Sequence, residues 1–163
     1  MRRSVCLATV LMTGVVPMPS AHAEPAPVCT AAQLTPSLAP PENTDGVTVY
    51  PVILLNAGTA ACRLSGYPAV SFIAGSDNHQ VGAAAVPDQD SAGTVVIEPG
   101  QATSANVGIA DAGNFPPDCD LVPASGLQLT LPDQADPMII GHAGAACAGT
   151  GYPLLHVGPF TGA

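Results

Sequence analysis

The chain has no lysine and no tryptophan, and it carries only three arginines in 163 residues. Arg2 and Arg3 lie at the extreme N-terminus, so Arg63 is the one base in the remainder of the chain. Nucleic-acid binding is therefore not expected, because phosphate contacts need clustered Lys and Arg. The absence of lysine also excludes Schiff-base chemistry.

Acidic side chains dominate the charge. Twelve Asp and Glu give the whole chain a formal net charge of −9, and without Arg2 and Arg3 twelve acids face one base, a charge of −11. The acids are dispersed along the chain, which is typical of a solvated surface and would keep the protein away from anionic membranes. Arg63 is expected to form a local ion pair on a strand face, with binding of a ligand carboxylate as the alternative.

The first 23 residues predict a cleaved signal peptide. A basic start at Arg2 and Arg3 precedes an apolar run over 5–16, and Ala21-His22-Ala23 supplies the small-x-small cleavage pattern. Neither this run nor any later one is long enough to span a bilayer, so no membrane insertion is expected. Cleavage would leave a single domain, residues 24–163, beginning at Glu24 and secreted or held at the cell envelope.

Four cysteines remain after Cys6 is removed with the signal peptide. An even number in an exported chain predicts two disulfides. A metal site is the alternative, although no C-x2-C spacing supports zinc. Four cysteines allow three connectivities, and their number alone does not choose among them. The four are Cys29, Cys62, Cys119 and Cys147.

A repeated stretch bears on the connectivity. Residues 60–68 read AACRLSGYP and residues 145–153 read AACAGTGYP. Their cysteines hold equivalent places, and each has another cysteine upstream at a similar distance, 33 and 28 residues. This spacing predicts the pairs Cys29–Cys62 and Cys119–Cys147. Whether the echo is a true duplication stays open.

Each echo ends in a Gly-Tyr-Pro triplet that predicts a strand corner. Proline fixes its own φ and keeps the preceding tyrosine extended, while glycine permits a sharp bend. We expect each cysteine to anchor a strand that leads into its corner. A ligand site flanked by the two tyrosines is the alternative. The corner residues are Gly66, Tyr67, Pro68, Gly151, Tyr152 and Pro153.

No long stretch has apolar residues at helical spacing; short apolar runs alternate with Gly, Pro and Asn instead. Eight or nine short strands at roughly ten-residue spacing predict an all-β fold, an antiparallel β-sandwich. Pro51 should mark a bend, a bulge or a sheet edge within its strand. The predicted strands are 47–55, 62–64, 69–74, 81–86, 94–98, 102–110, 127–131, 138–140 and 154–157. The intervening loops 36–46, 87–93 and 111–126 are expected to be exposed.

Asn56-Ala57-Gly58 after an aliphatic strand, followed by 62–68 (CRLSGYP), resembles the signature of exported actinobacterial proteins that form domain of unknown function family 4232. Pro99-Gly100-Gln101-Ala102 and Leu131-Pro132 match in order, and the resemblance covers Cys29 to the end of the chain. Members often carry a tryptophan in the strand after Pro-Gly, which this chain lacks. The resemblance implies an immunoglobulin-like sandwich outside the membrane and brings no catalytic residues.

Motifs of catalysis are missing from the sequence. His79, His142 and His156 could serve as bases, but no G-x-S-x-G elbow, no phosphate loop and no H-E-x-x-H accompanies them. We therefore expect no enzymatic activity, no catalytic residue and no cofactor.

Two groups of residues keep a metal-binding alternative open. Residues 88–93 loosely resemble a calcium loop, and Asp118 and Asp120 form a second carboxylate pair. Met138, His142 and His156 are potential copper ligands, although we expect His142 in a loop and His156 pointing outward from a strand. No metal site is predicted from these patterns.

The sequence favours a secreted, non-enzymatic binding or envelope-associated module for an unknown protein or envelope ligand. The alternative is an extracytoplasmic protein that binds copper or calcium.

Overall fold

The computed structural model describes residues 24–89 and 93–162, and the predicted signal peptide lies outside them. The described residues form strands and three single-turn 3-10 helices, which confirms the predicted all-β fold. No helix among them is long and apolar enough to cross a membrane. The strands are β1 (Leu34–Leu38), β2 (Glu42–Thr44), β3 (Val47–Asn56), β4 (Cys62–Ser65), β5 (Ala69–Ala74), β6 (His79–Val81), β7 (Val86–Pro87), β8 (Thr94–Ile97), β9 (Ala102–Ala110), β10 (Leu121–Thr130), β11 (Pro137–Cys147), β12 (Leu155–Val157) and β13 (Thr161–Gly162). The 3-10 helices span Ala31–Gln33, Ala112–Asn114 and Pro117–Cys119.

The strands form three sheets. Seven strands make the largest sheet, in the order β1-β3-β9-β12-β7, with β2 also paired to β3 and β13 to β9. Four strands make the second sheet, in the order β11-β10-β5-β6, and β4 pairs with β8 in the third. Pairing is antiparallel as predicted, except that β12 and β7 run parallel.

The core lies between the two larger sheets. Val52 and Leu54 of β3, with Val107 of β9, are completely buried on one side. Leu127 and Leu129 of β10 are completely buried on the other, on the inward face that their alternation predicts. Burial of each such side chain stabilises the fold by about 1.5–3 kcal/mol.

Pro51 is accommodated by a change of partner along β3. One side of β3 pairs with β9 throughout, including Pro51 opposite Asn106. The other side pairs with β2 up to Val49 and with β1 from Val52 onward. Pro51 therefore lies at a local edge, where a missing N–H costs no ladder hydrogen bond.

The predicted strand 81–86 is wrong. β6 ends at Val81 and β7 begins at Val86, and the chain turns between them. Gly82 begins this turn at φ +72°, and a Cβ there would lie 2.5 Å from the carbonyl oxygen of Cys147. The close approach of two backbones requires glycine at this position.

Two of the predicted loops contain strands. Segment 36–46 holds the end of β1 and all of β2, and segment 111–126 holds the first half of β10. Their prolines suggested loops, but Pro36 lies in the terminal strand β1, and Pro123 in a part of β10 that pairs with β11 alone. Both positions tolerate the loss of a donor. In segment 87–93 the described residues are exposed, and residues 90–92 lie outside the described part.

Candidate functional site

The structure confirms both predicted disulfides. The Cα atoms of Cys29 and Cys62 are 4.8 Å apart, and those of Cys119 and Cys147 are 4.9 Å apart. All four cysteines are buried. Disulfides persist in oxidising compartments, so the pair of bridges indicates an extracytoplasmic environment.

The first disulfide fixes the N-terminal segment to β4. The backbone N–H of Cys29 donates to the carbonyl of Arg63 at 3.0 Å, and the N–H of Arg63 donates to the carbonyl of Pro27 at 2.8 Å. The expected ion pair of Arg63 is wrong: its Nε donates to the carbonyl of Ala26 at 2.9 Å, and no carboxylate of the described residues forms a salt bridge with it. The guanidinium therefore holds this segment in place.

The first Gly-Tyr-Pro triplet forms the corner between β4 and β5. Gly66 has φ +87°, a conformation that favours glycine, and Pro68 is buried. The hydroxyl of Tyr67 donates to the carbonyl of Gln89. Cys62 begins the strand that leads into this corner, as predicted.

The second triplet has different surroundings. Cys147 is the last residue of β11, so no strand leads from it into the corner, and that expectation is wrong. Gly151 lies outside the left-handed region, and Pro153 is exposed. The Tyr152 ring packs edge-on against Phe115, with centroids 5.9 Å apart. A hydrogen bond to the Asp118 carboxylate raises the pKa of Tyr152. Tyr67 thus bonds to the backbone and Tyr152 packs against Phe115, which supports a packing role for both.

The signature residue Asn56 has a structural role that its sequence context does not reveal. It is completely buried at the end of β3. Its Nδ2 donates to the carbonyls of Ala60 and Ile97, both at 2.9 Å, and its Oδ1 accepts from the N–H of Gly58 at 3.0 Å. One side chain therefore joins β3, the following loop and the end of β8.

The potential copper ligands do not come together. His142 lies in β11, where its ring meets Tyr50 edge-on at 4.8 Å, so the expected loop position is wrong. Met138 is buried on the same strand. His156 belongs to β12 in the other large sheet; its two strand neighbours are buried, and its ring faces outward, 3.4 Å from Asp88.

The carboxylate pairs do not form a cation site either. Asp118 raises the pKa of Tyr152, and Asp120 follows the 3-10 helix in a left-handed conformation. Of the potential calcium loop 88–93, residues 90–92 lie outside the described part. Within residues 24–89 and 93–162, no group of three or more His, Cys, Asp or Glu is placed to hold a metal ion.

We predict that protonation of His142 destabilises the fold. Burial lowers the pKa of His142 from its ordinary 6.5, so below pH 6.5 the unfolded chain takes up a proton that the folded chain still excludes. The free energy of unfolding should then fall as the pH drops below 6.5 and level off below the folded pKa. His142→Phe, which keeps an aromatic ring against Tyr50, should remove this part of the dependence in urea titrations from pH 8 to 5. His156→Gln should retain it, and an unchanged profile in His142→Phe would contradict the assignment.

A cleft of about 410 Å³ is the best candidate for a binding site. It opens where β10 extends beyond β5: β5 pairs with β10 only at residues 126–130, whereas β11 pairs with β10 from Leu121 onward. The first half of β10 therefore has one open side, and the cleft lies against it. The lining is mostly aliphatic and consists of Ala74, His79, Gln80, Val81, Val122, Pro123 and Ala148.

His79 is the titratable group that lines the cleft. Its Nδ1 lies 2.9 Å from Oδ1 of Asp77, and this hydrogen bond lowers the pKa of Asp77. The carboxylate orients the ring and leaves Nε2 as the second hydrogen-bonding atom. An aliphatic cleft with one oriented imidazole suits an apolar ligand group that carries a hydroxyl or amide.

Residues 29–161 match the family described as domain of unknown function (DUF4232). No curated protein and no solved structure matches the chain. The matched region contains both disulfides, Asn56 and the cleft at His79. Since it covers well over half of the sequence, the chain belongs to the DUF4232 family.

Proposed function

We propose that the protein is an exported, non-enzymatic binding module, and that the cleft at His79 takes an apolar group of its ligand. The observation that carries this proposal is the aliphatic cleft beside the open side of β10, with one oriented imidazole in its lining. The immunoglobulin-like fold and the export that the family resemblance implies belong to the same proposal.

Export is supported by chemistry at two places in the chain. The N-terminal 23 residues have the pattern of a signal peptide. The two buried disulfides require an oxidising compartment to form and persist. Protein recovered from the culture medium or the cell envelope should begin at Glu24.

A binding role without catalysis is supported by the surroundings of the histidines. His79 and His156 each approach an aspartate through Nδ1. In a hydrolytic triad the other ring nitrogen would bond to a nucleophile. Among the described residues no serine or threonine hydroxyl bonds to either ring, and the described cysteines are all in disulfides. These imidazoles are thus better suited to hydrogen bonding with a ligand.

The two histidine–aspartate pairs allow a matched test with phenol, a small probe that has an apolar ring and a hydroxyl. Phenol added to the protein should shift the backbone amide resonances of the residues that line the cleft. His79→Ala should weaken phenol binding by about tenfold, since it removes the polar partner in the cleft. His156→Ala removes the other histidine that contacts an aspartate. This histidine lies on the outer face of the other sheet, so the change should leave phenol binding unchanged.

The same spectra decide against the proposal if the shifts are spread over the surface, or if both alanine variants bind phenol equally well. Titration with copper and calcium tests the metal-binding alternative on the same sample. Saturable binding of either ion at micromolar concentration would favour that alternative.

A further inference from the structure

β11 presents a long, open edge. It is the terminal strand of the four-stranded sheet, and β10 pairs with it along one side. Within the described residues, its other side has no strand partner, and no backbone or side-chain hydrogen bond outside the ladder reaches Pro137–Cys147. β1 of the other sheet and the 3-10 helix Ala112–Asn114 contact β11 without such a bond. The backbone groups on this side are therefore free to pair with another strand.

This edge is eleven residues long and has no formal charge. Its only titratable side chain is that of His142, whose pKa is lowered by burial. The other strands of the two large sheets that have a single partner, β1, β2, β6, β7 and β13, have five, three, three, two and two residues. Short strands and edge charges are the usual protection against pairing with other chains, and β11 has neither.

Part of the edge is more favourable for pairing than the rest. Ala124 pairs with Gly144 and Gly126 with Gly141, so Ser125 faces two residues of β11 at a bulge. A bulge bends the strand and interrupts a ladder. The regular stretch Met138–Gly141 lies before the bulge, and Ile139 within it is 43% exposed.

Carboxylates lie at both ends of this uncharged edge. Exposed Asp133 and Asp136 precede Pro137. At the other end, the N–H of Ala148 donates to the carbonyl of Asp120 at 3.0 Å, which places exposed Asp120 beside the end of the strand, on the side of β10. At about 3.4 Å per residue, the two acidic ends are roughly 35 Å apart.

We propose that this edge is the docking site for an extended segment of a partner protein, with small or β-branched residues at its centre and Lys or Arg at both ends. The segment adds to the sheet as a fifth strand beside β11. Backbone hydrogen bonds supply the affinity, and the flanking bases meet the carboxylates at the two ends. A second copy of this chain fits poorly, because each mature copy carries a charge of −11 and its one base, Arg63, lies on β4. The pairing stretch Met138–Gly141 is separate from the cleft at His79, whose lining includes Ala148 just beyond the end of β11.

The test uses an eleven-residue peptide, which spans about 35 Å when extended, with alternating valine and threonine in its centre and two basic residues at each end. Added to the mature protein, it should protect the backbone amides of Met138–Gly141 from hydrogen exchange. The same core with glutamates at its ends should bind at least about tenfold more weakly. Methylation of alternate backbone nitrogens in the basic peptide should have an effect of similar size, because it removes pairing and keeps the charge.

Two lysine variants provide a matched control. Ile139→Lys places a charge on the open edge and should weaken binding of the basic peptide by about tenfold. Leu55→Lys makes the same change at a residue of similar exposure, 39%, on β3, which has partners on both sides. It should leave the affinity unchanged.

Three outcomes would overturn the proposal. If the N-methylated peptide bound as tightly as the unmodified basic peptide, the interaction would be charge attraction without strand pairing. If the glutamate peptide bound as tightly as the basic peptide, the carboxylates at the two ends would have no role in binding. Concentration-dependent dimerisation with the same amides protected would show that a second copy occupies the edge. None of these readouts involves the cleft, so phenol binding at His79 is decided separately.

Discussion

Replacement of Cys29 and Cys62 by alanine should lower the free energy of unfolding by about 3.5 kcal/mol, the chain-entropy value for a loop of this length. The bridge closes a separation of 33 residues and holds the N-terminal segment against β4. Both sulfur atoms lie in the core, so the variant also loses packing there. The loss is a large share of a typical domain stability of about 5–15 kcal/mol.

Ion pairs offer little compensation for this loss. The chain has no lysine, and Arg63 bonds to a carbonyl. The described salt bridges are two solvent-exposed histidine–aspartate contacts, a class of interaction that contributes little to stability. We therefore expect the variant that lacks both disulfides to be largely unfolded at 37 °C.

Urea denaturation of the two single-bridge variants tests this account. The Cys119–Cys147 bridge closes a similar separation, 28 residues, so its removal should cost nearly the same if loop closure dominates. A loss below about 1 kcal/mol for either variant would mean that the unfolded chain is already compact and gains little freedom when the bridge is removed.

Strands with strong local signals were predictable from the sequence. β5 and β9 have the bounds predicted for them, because Pro68 and Pro99-Gly100 set their starts and their side chains include apolar β-formers. β11 was predicted only over 138–140. Its second half is a run of Gly and Ala with one His and a final Cys, has no period, and is extended because β10 pairs with it. Long-range pairing of this kind leaves no local pattern.

The candidate sites were less predictable for the same reason. The cleft at His79 exists because β10 is longer than its pairing with β5, and the open edge depends on which strand is last in the sheet. Cysteine pairing was the exception. The echoed segments carry the spacing in the sequence itself, although the two corners have different backbone conformations.

Asn56→Ala should lower the free energy of unfolding by about 3 kcal/mol or more, the second of the two largest expected effects. Removal of the amide leaves the carbonyls of Ala60 and Ile97 and the N–H of Gly58 without their partner. Ile97 is 1% exposed, so water reaches its carbonyl poorly. A buried polar group left unpaired costs about 1–3 kcal/mol. Asn106→Ala, at an exposed asparagine of β9, should change stability by less than about 0.5 kcal/mol.

A second variant separates lost hydrogen bonds from lost volume. Asn56→Asp keeps the shape of the side chain. It places a carboxylate oxygen where the Nδ2 of Asn56 donates to the carbonyls of Ala60 and Ile97. Repulsion and burial should raise the pKa of the new carboxyl. The variant should therefore be less stable than Asn56→Ala at pH 7 and recover as the pH falls towards 4, where a protonated carboxyl can donate one hydrogen bond. If Asn56→Asp instead kept the stability of the unsubstituted protein at every pH while Asn56→Ala lost it, the amide would act through its volume, and the three hydrogen bonds would not explain why asparagine occupies this place in the signature.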